Sequence, residues 1–250
     1  MSEDYNAESV ACFDKHAQRY AENYFDLRDY DRFYQGLIER LPNGPFRLLD
    51  LACGPGNVAA FVRRARADAQ ILCVDQSAAM LAAAQQRLPG IATQQADCRN
   101  LSSLPPSFDA AAFCFGLSYF NDEDARQVLA ELARLLCAGG SLLLSTISGD
   151  PADSGVKLSS SGDRVHMFYR QPETISAFVN EAGFAVLRLD RVTSPANASQ
   201  ETVDVKGSGQ PNCLKASLMN FVKLLGALLI TVGVLGLIFG RHTSHVVHHM

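Results

Sequence analysis

Residues 48–59 constrain this chain more than any other stretch. An apolar run from Leu48 to Ala52 carries one carboxylate, Asp50, then turns through Gly54 and Gly56 and opens an Ala-rich helix. This is the pattern of a ligand loop at the carboxyl end of a first parallel strand. Glycine there lacks the Cβ that would hold a ligand away from the backbone, and it adopts φ > 0 without strain. A helix starting near Asn57 aims free N–H groups at whatever occupies the loop.

Two nucleotide cofactors compete for such a loop. Gly54, Gly56 and Ala59 fit the dinucleotide spacing, and Asp75 lies about 20 residues on, where a ribose-binding acid belongs. A nicotinamide dinucleotide, however, sets a pyrophosphate over the turn, and Asp50 then brings a negative charge to a site that must attract an anion. S-adenosylmethionine carries a sulfonium and an ammonium and no phosphate. The charge of Asp50 favours it, and an NAD(P)-dependent oxidoreductase is the alternative.

The segments that follow resemble the class I S-adenosylmethionine-dependent methyltransferases of the small-molecule type, in order and spacing, over residues 10–205. Asp75 ends a second apolar run, Ala69 to Val74. By the resemblance it takes the ribose hydroxyls, with Gln76 beside it and Met80 packing on the adenine. Asp97 and Cys98 end a third run, where the family reads the adenine amino group. Residues 108–115 are similar to the fourth strand, with Phe115 at its end, and Gly116 to Phe120 to the loop facing the methyl donor. Ala52, Gly54 and Gly56 complete the cofactor set. A helix (Glu123 to Leu136), a Gly139-Gly140 turn and a fifth strand (Ser141 to Thr146) come next. Ala138 stands where the family commonly has proline.

The implied fold is α/β: a doubly wound, mostly parallel, seven-stranded sheet of Rossmann-like type with an antiparallel last strand. Alternating strand and helix signals from Phe46 to Thr146 agree with it. Helical periodicity covers residues 7–24 and 28–40, so residues 1–40 read as a helical cover and 41–205 as the cofactor-binding domain. Ser148 to His166 has no periodicity and reads as a loop. Pro172 to Ala182 reads as a helix closed by Gly183, and Phe184 to Val192 as a strand. Glu201 to Val205 suits a short antiparallel edge beside it, and because 206–217 has linker chemistry, either that seventh strand is short and marginal or the sheet ends differently from its relatives.

Beyond it the composition changes sharply. Residues 224–240 carry no charge, and with Leu218 to Lys223 the run reaches the roughly 20 residues that span a bilayer. We read 218–240 as a single transmembrane helix and 241–250 as a tail, which implies a single-pass membrane protein with its catalytic domain in the cytoplasm. The N-terminus lacks the basic and apolar regions of a secretory signal. Gly226, Gly233, Gly236 and Gly240 form a groove on that helix that suits a homodimer, though glycine is ordinary in such helices.

The net charge of −4 and the single basic cluster, Arg63, Arg64 and Arg66, suit a small-molecule substrate rather than nucleic acid. The seven cysteines are spread singly, and the C-terminal His242, His245, His248 and His249 have no accompanying shell, so no metal is expected. Methyl transfer from a sulfonium is an in-line displacement that needs alignment above all, and a base only where the acceptor must lose a proton. Residues 13–20 resemble the helix that closes over the methyl donor, which makes Tyr20 a contact for its methionine end and His16 a catalytic candidate one turn away. Tyr119, after the fourth strand, and His166, after the loop, are the other catalytic candidates, His166 as general base. A module that keeps the fold without turnover is a further alternative, opposed by the intact set Asp50, Gly54, Gly56, Asp75 and Asp97.

Overall fold

The computed structural model describes residues 4–24, 31–159, 161–193 and 203–211. They lie in one compact unit that ends at Pro211. Two helices come first, α1 (Tyr5–Tyr24) and α2 (Asp31–Ile38). Strands and helices then alternate as β1 (Phe46–Leu51), α3 (Asn57–Ala65), β2 (Ala69–Asp75), α4 (Ala78–Arg87), β3 (Ala92–Gln95), β4 (Phe108–Cys114), α5 (Asp122–Leu135) and β5 (Leu136–Ser148). A hairpin of β6 (Gly155–Leu158) and β7 (Arg164–Met167) leads to α6 (Pro172–Glu181), β8 (Phe184–Thr193) and β9 (Val203–Pro211).

The sheet runs β3-β2-β1-β4-β5-β9-β8. Its first five strands are joined by parallel ladders, and an antiparallel pair, β8 and β9, adds to β5 through β9. The order reverses between β1 and β4, and in open α/β sheets ligands bind at the carboxyl ends of the strands at that switch point. β1 is buried on both faces, which is why its apolar run is continuous rather than alternating. Leu49 and Leu51 join Phe108, Phe113, Leu129 and Phe178 on one side, while Phe46 and Leu48 join Leu37, Phe61 and Val62 on the other. α5 buries Ala125, Val128, Leu129, Leu132 and Leu135 at helical spacing. Its first turn is acidic, and the Asn121 side chain accepts the Asp124 N–H at 2.9 Å, both suited to the positive end of a helix.

Three segments differ from their sequence reading. Ser148 to His166, expected as a loop, holds the end of β5, a 3₁₀ turn (Pro151–Asp153) and most of the β6–β7 hairpin. The two strands are four residues each, too short for their alternation of apolar and polar residues to stand out. β5 starts at Leu136, directly after α5, and the Gly139-Gly140 pair lies within it, where its register against β4 shifts. The residues read as linker, 206–211, are strand: β9 runs from Val203 through Pro211 and extends the domain past residue 205. A strand paired on both edges has its main-chain groups satisfied whatever its side chains, so polar composition does not forbid it. α1 starts at Tyr5, and α2 ends at Ile38 rather than at residue 40, while residues 28–30 of the predicted helix lie outside the described residues. The expected transmembrane helix at 218–240, and the dimer through it, fall outside the described residues. Among the described residues no helix is long and apolar enough to cross a membrane.

Candidate cofactor site under an N-terminal cover

The loop after β1 is built from backbone in the left-handed region at alternate residues: Ala52 (φ 50), Gly54 (φ 53) and Gly56 (φ 87). The two glycines serve different ends. A Cβ on Gly54 would meet nothing within 4 Å, so its face is open, whereas one on Gly56 would lie 3.0 Å from Leu88 Cδ1 and 3.4 Å from Ala84 Cβ. Gly54 thus leaves the space a ligand needs, and Gly56 lets α3 and α4 approach. Ala52 and Phe115 (φ 64) are the two non-glycine residues with positive φ among those described, and they end the adjacent strands β1 and β4. Backbone strain of this kind collects at ligand sites.

Gly116 is required by packing: a Cβ there would fall 2.2 Å from Phe113 Cε2 and 3.0 Å from the Ala52 Cβ. Since Phe113 is fully buried, its ring has no room to yield. Gly116→Ala is expected to cost about 2 kcal/mol through overpacking. Ala52→Gly should move stability the other way, by about 1 kcal/mol, by relieving the left-handed strain. Urea unfolding of the two variants measures both, and equal shifts of the same sign would refute the strain at Ala52.

Two carboxylates underlie the loop. Asp50 is 1 % exposed and accepts the Ala59 N–H, in the first turn of α3, at 3.1 Å. Burial pushes its carboxyl up to about 8 against that hydrogen bond, and the charge of Asp75 adds to the rise. Asp75, at the end of β2, accepts N–H groups from Gly54 and Ser77, each at 2.9 Å. Burial raises its carboxyl too, with those N–H groups opposing. A buried and a half-buried carboxylate raised in this way make a site that gains from a cation and resists a pyrophosphate, and α3's Ala59 N–H is already taken by Asp50. That is the structural argument against a dinucleotide.

The remaining predicted cofactor residues divide. Met80, in the first turn of α4, is buried, and its N–H is bonded to Ser77 Oγ at 3.1 Å. Gln76 offers its carbonyl to Gln95 Nε2 at 2.9 Å. The Cys98 side chain packs in the core with Leu49, Val74 and Leu101, which leaves its backbone to meet a ligand. Asp97 is committed to Arg99: its oxygens accept the Arg99 N–H at 2.8 Å, Nε at 3.0 Å and Nη2 at 2.6 Å.

Sequence reasoning missed the network around that guanidinium. Arg99 also bonds Asp4 Oδ2 at 2.7 Å and Asp124 Oδ2 at 3.3 Å, and the Tyr5 hydroxyl donates to Asp124 while accepting the Asn121 N–H at 3.0 Å. The start of α1 is thereby tied to the β3–β4 connection and to the start of α5. A second tie lies midway along α1, where Asp14 accepts the Ser77 hydroxyl at 2.7 Å and the Ala79 N–H at 3.0 Å, at the N-terminus of α4. Those two donors hold the Asp14 carboxyl below its ordinary range. A third missed residue, Arg170, is 4 % exposed and donates to the carbonyls of Leu117, Phe168 and Phe120 and to Asp122, which fixes the loop after β4. No local pattern announces these partners, since nearly all of them lie tens of residues away in sequence.

α1 therefore lies across the carboxyl ends of the strands. Phe13 meets Tyr119 edge-on at 5.0 Å and Tyr20 edge-on at 5.9 Å, so the structure brings two predicted residues together through an aromatic not singled out before. Asn6, seven residues before Phe13, shares that face on helical spacing. Its amide Nδ2 is buried without a hydrogen-bond partner among the described residues, a cost that a ligand oxygen beneath the cover removes. The two histidines lie elsewhere, along the seam between α1 and the β6–β7 hairpin. His16 Nε2 is 2.7 Å from Asp163 Oδ2, and His166 Nε2 is 2.9 Å from Glu8 Oε2.

The fold is Rossmann-like, of the kind seen in S-adenosylmethionine-dependent methyltransferases, and the loop suits that cofactor. Residues 48–140 match the family model described as a methyltransferase domain. Over 107 residues the chain is 39 % identical to a trans-aconitate 2-methyltransferase of Methylobacterium nodulans, an alignment covering 42 % of this chain and 40 % of that protein. The chain spans less than half the length of the curated relatives it matches first. Among solved structures, the 1,6-didemethyltoxoflavin-N1-methyltransferase of Burkholderia thailandensis, with S-adenosylhomocysteine bound, superposes with a TM-score of 0.64 at 18 % identity, over 83 % of this chain and 88 % of that one. The [4+2]-cyclase SpnF superposes with a TM-score of 0.65 at 18 % identity, over 83 % and 97 %. At such identities the likeness is one of fold.

Proposed function

We propose that this protein transfers the methyl group of S-adenosylmethionine to a small oxygen-bearing acceptor held beneath α1. The observation that carries this reading is the pair of carboxylates, Asp50 buried and Asp75 half-buried, under an open glycine turn and an aromatic cover. When bound, the cofactor supplies an electrophilic methyl on a good leaving group. Asp75 holds the ribose hydroxyls, Asp50 supplies negative potential for the cofactor's cationic end, and Ala52, Gly54 and Phe115 shape the floor. Phe13, Tyr20 and Tyr119 exclude water, which strengthens those electrostatic interactions. The Asn6 amide donates to an acceptor oxygen, and the curated relative named for trans-aconitate supports a carboxylated acceptor as the first to assay. His166 stands as the candidate to move a proton, through Glu8, which it already touches.

Calorimetry with S-adenosylmethionine tests the cofactor half. Asp75→Ala is expected to weaken binding at least about tenfold, since hydrogen bonds to a charged group contribute about 1.5–3 kcal/mol each. Unchanged affinity in a folded variant would remove Asp75 from the site. Transfer of labelled methyl groups into a metabolite extract tests the acceptor half. Label found only in protein or nucleic acid would rule out a small acceptor.

The membrane reading rests on the uncharged run 224–240 and its extension to 218. It places the domain at the cytoplasmic face of a membrane as a single-pass anchored enzyme. Carbonate-resistant sedimentation with membranes, lost on deletion from residue 212, is the expected result. Extraction of the full chain by carbonate would overturn it.

A further inference from the structure

Cys12 and His16 stand four residues apart on α1, so their side chains leave the same face one turn apart. Both face Asp163, in the turn between β6 and β7. Cys12 Sγ, a His16 ring nitrogen and an Asp163 carboxylate oxygen all lie within 4.8 Å of one another. The surroundings leave one carboxylate oxygen for this cluster: Lys15 Nζ holds Oδ1 at 2.7 Å, while Oδ2 faces His16 Nε2 at 2.7 Å. The turn is fixed from behind, with the Asp163 N–H donating to Ser159 Oγ at 3.1 Å. Ser161 Oγ, 2.9 Å from His16 Nε2, adds another oxygen at the same point.

A thiolate, an imidazole and a carboxylate form the donor set of zinc and of metals that substitute for it, whereas magnesium and calcium require oxygen. We propose that Cys12, His16 and Asp163 form a zinc-class site that staples the α1 cover to the β6–β7 hairpin. Three protein ligands leave the fourth tetrahedral position for water. Metal–ligand bonds near 2.0–2.1 Å place nitrogen and oxygen ligands about 3.3 Å apart, so His16 and Asp163 need separate by well under an ångström. On binding, Cys12 releases its thiol proton to solvent, His16 coordinates through a neutral ring nitrogen, and Lys15 keeps its own oxygen of Asp163. The site lies on the hairpin side of α1, apart from the face carrying Phe13 and Tyr20, so it acts on the closure of the cover and not on the cofactor directly.

Titration of the full chain with cobalt(II) provides the test. One ion per chain is expected, with a thiolate-to-cobalt charge-transfer band that zinc abolishes by displacement. Cys12→Ser should remove the band while cofactor affinity and cooperative unfolding persist, which shows that the fold is intact. His16→Gln and Asp163→Asn should each weaken binding at least about tenfold, as loss even of outer-sphere partners does. Zinc should also slow hydrogen exchange across α1 and the hairpin in the parent chain and leave it unchanged in Cys12→Ser. Cys213 and the four C-terminal histidines offer other ligands, so Cys12 decides the matter: absence of the band in the parent chain, or its survival in Cys12→Ser, overturns the proposal.

Discussion

Asp50→Asn is expected to stabilise the cofactor-free protein by several kcal/mol at pH 8 and above while weakening S-adenosylmethionine binding at least tenfold, about 1.4 kcal/mol. In the unfolded chain an aspartate titrates near 3.9. In the folded protein burial lifts the Asp50 carboxyl to about 8. Between those values the folded state binds more protons than the unfolded one, so stability falls as pH rises through this window and levels off above it. Four units correspond to roughly 5 kcal/mol as an upper bound. Asparagine is neutral throughout, and its oxygen can still accept the Ala59 N–H. The variant should therefore lose most of the stability decline between pH 4 and 8, keeping the part due to Asp75, whose carboxyl is raised by the same burial. A cation beside Asp50 offsets the cost of its charge, which is why stability and affinity should move in opposite directions. Urea unfolding across pH 5 to 9, with calorimetry at pH 8, measures both. A variant whose stability parallels the parent's across that range would show that the Asp50 charge is not the destabilising group.

The cofactor loop was legible because its physics is local. Asp50, Gly54 and Gly56 fall within seven residues, and a continuous apolar strand followed by glycine admits few folds. The positions of β1 and β4 follow from the same cause, since strands buried on both faces announce themselves by composition. What stayed hidden depends on distance. β9 owes its place to ladders with β5 and β8, strands that begin 67 and 19 residues before it in the chain, and its Gly, Ser and Lys content reads as linker because the bonds that hold it involve no side chain. Arg99 carries no signal in the sequence, yet it gathers Asp4, Asp97 and Asp124 from three separate segments. Asp97 was read as an adenine contact from its position at the end of a strand. Its position is as expected, while its lone pairs go to a neighbour two residues on. His16 and His166 show the same limit: helical spacing and loop position suggested a base, and the carboxylates that face them come from residues about 150 positions away.

Removal of residues 1–27 is expected to leave a cooperatively folded protein that binds S-adenosylmethionine about 100-fold more weakly, or about 2.7 kcal/mol. The two large apolar clusters contain no residue of α1. Only the small cluster of Cys12 with Val165, Met167 and Tyr169 draws on that helix. Stability should fall by about 1 kcal/mol where Asp14 no longer satisfies the N-terminus of α4, and by a further modest amount where Arg99 loses Asp4. Affinity should fall much further, because Phe13 and Tyr20 leave and water reaches the charges of Asp50 and Asp75, which then act at higher dielectric. The loss should appear mainly as faster dissociation, since a cover slows escape more than entry. Full-length Phe13→Ala with Tyr20→Ala separates covering from folding: it should reproduce most of the affinity loss with Asp14 and Asp4 still in place. Parent-like affinity in both the truncated chain and the double variant would show that α1 is packing and that the closed site owes nothing to it.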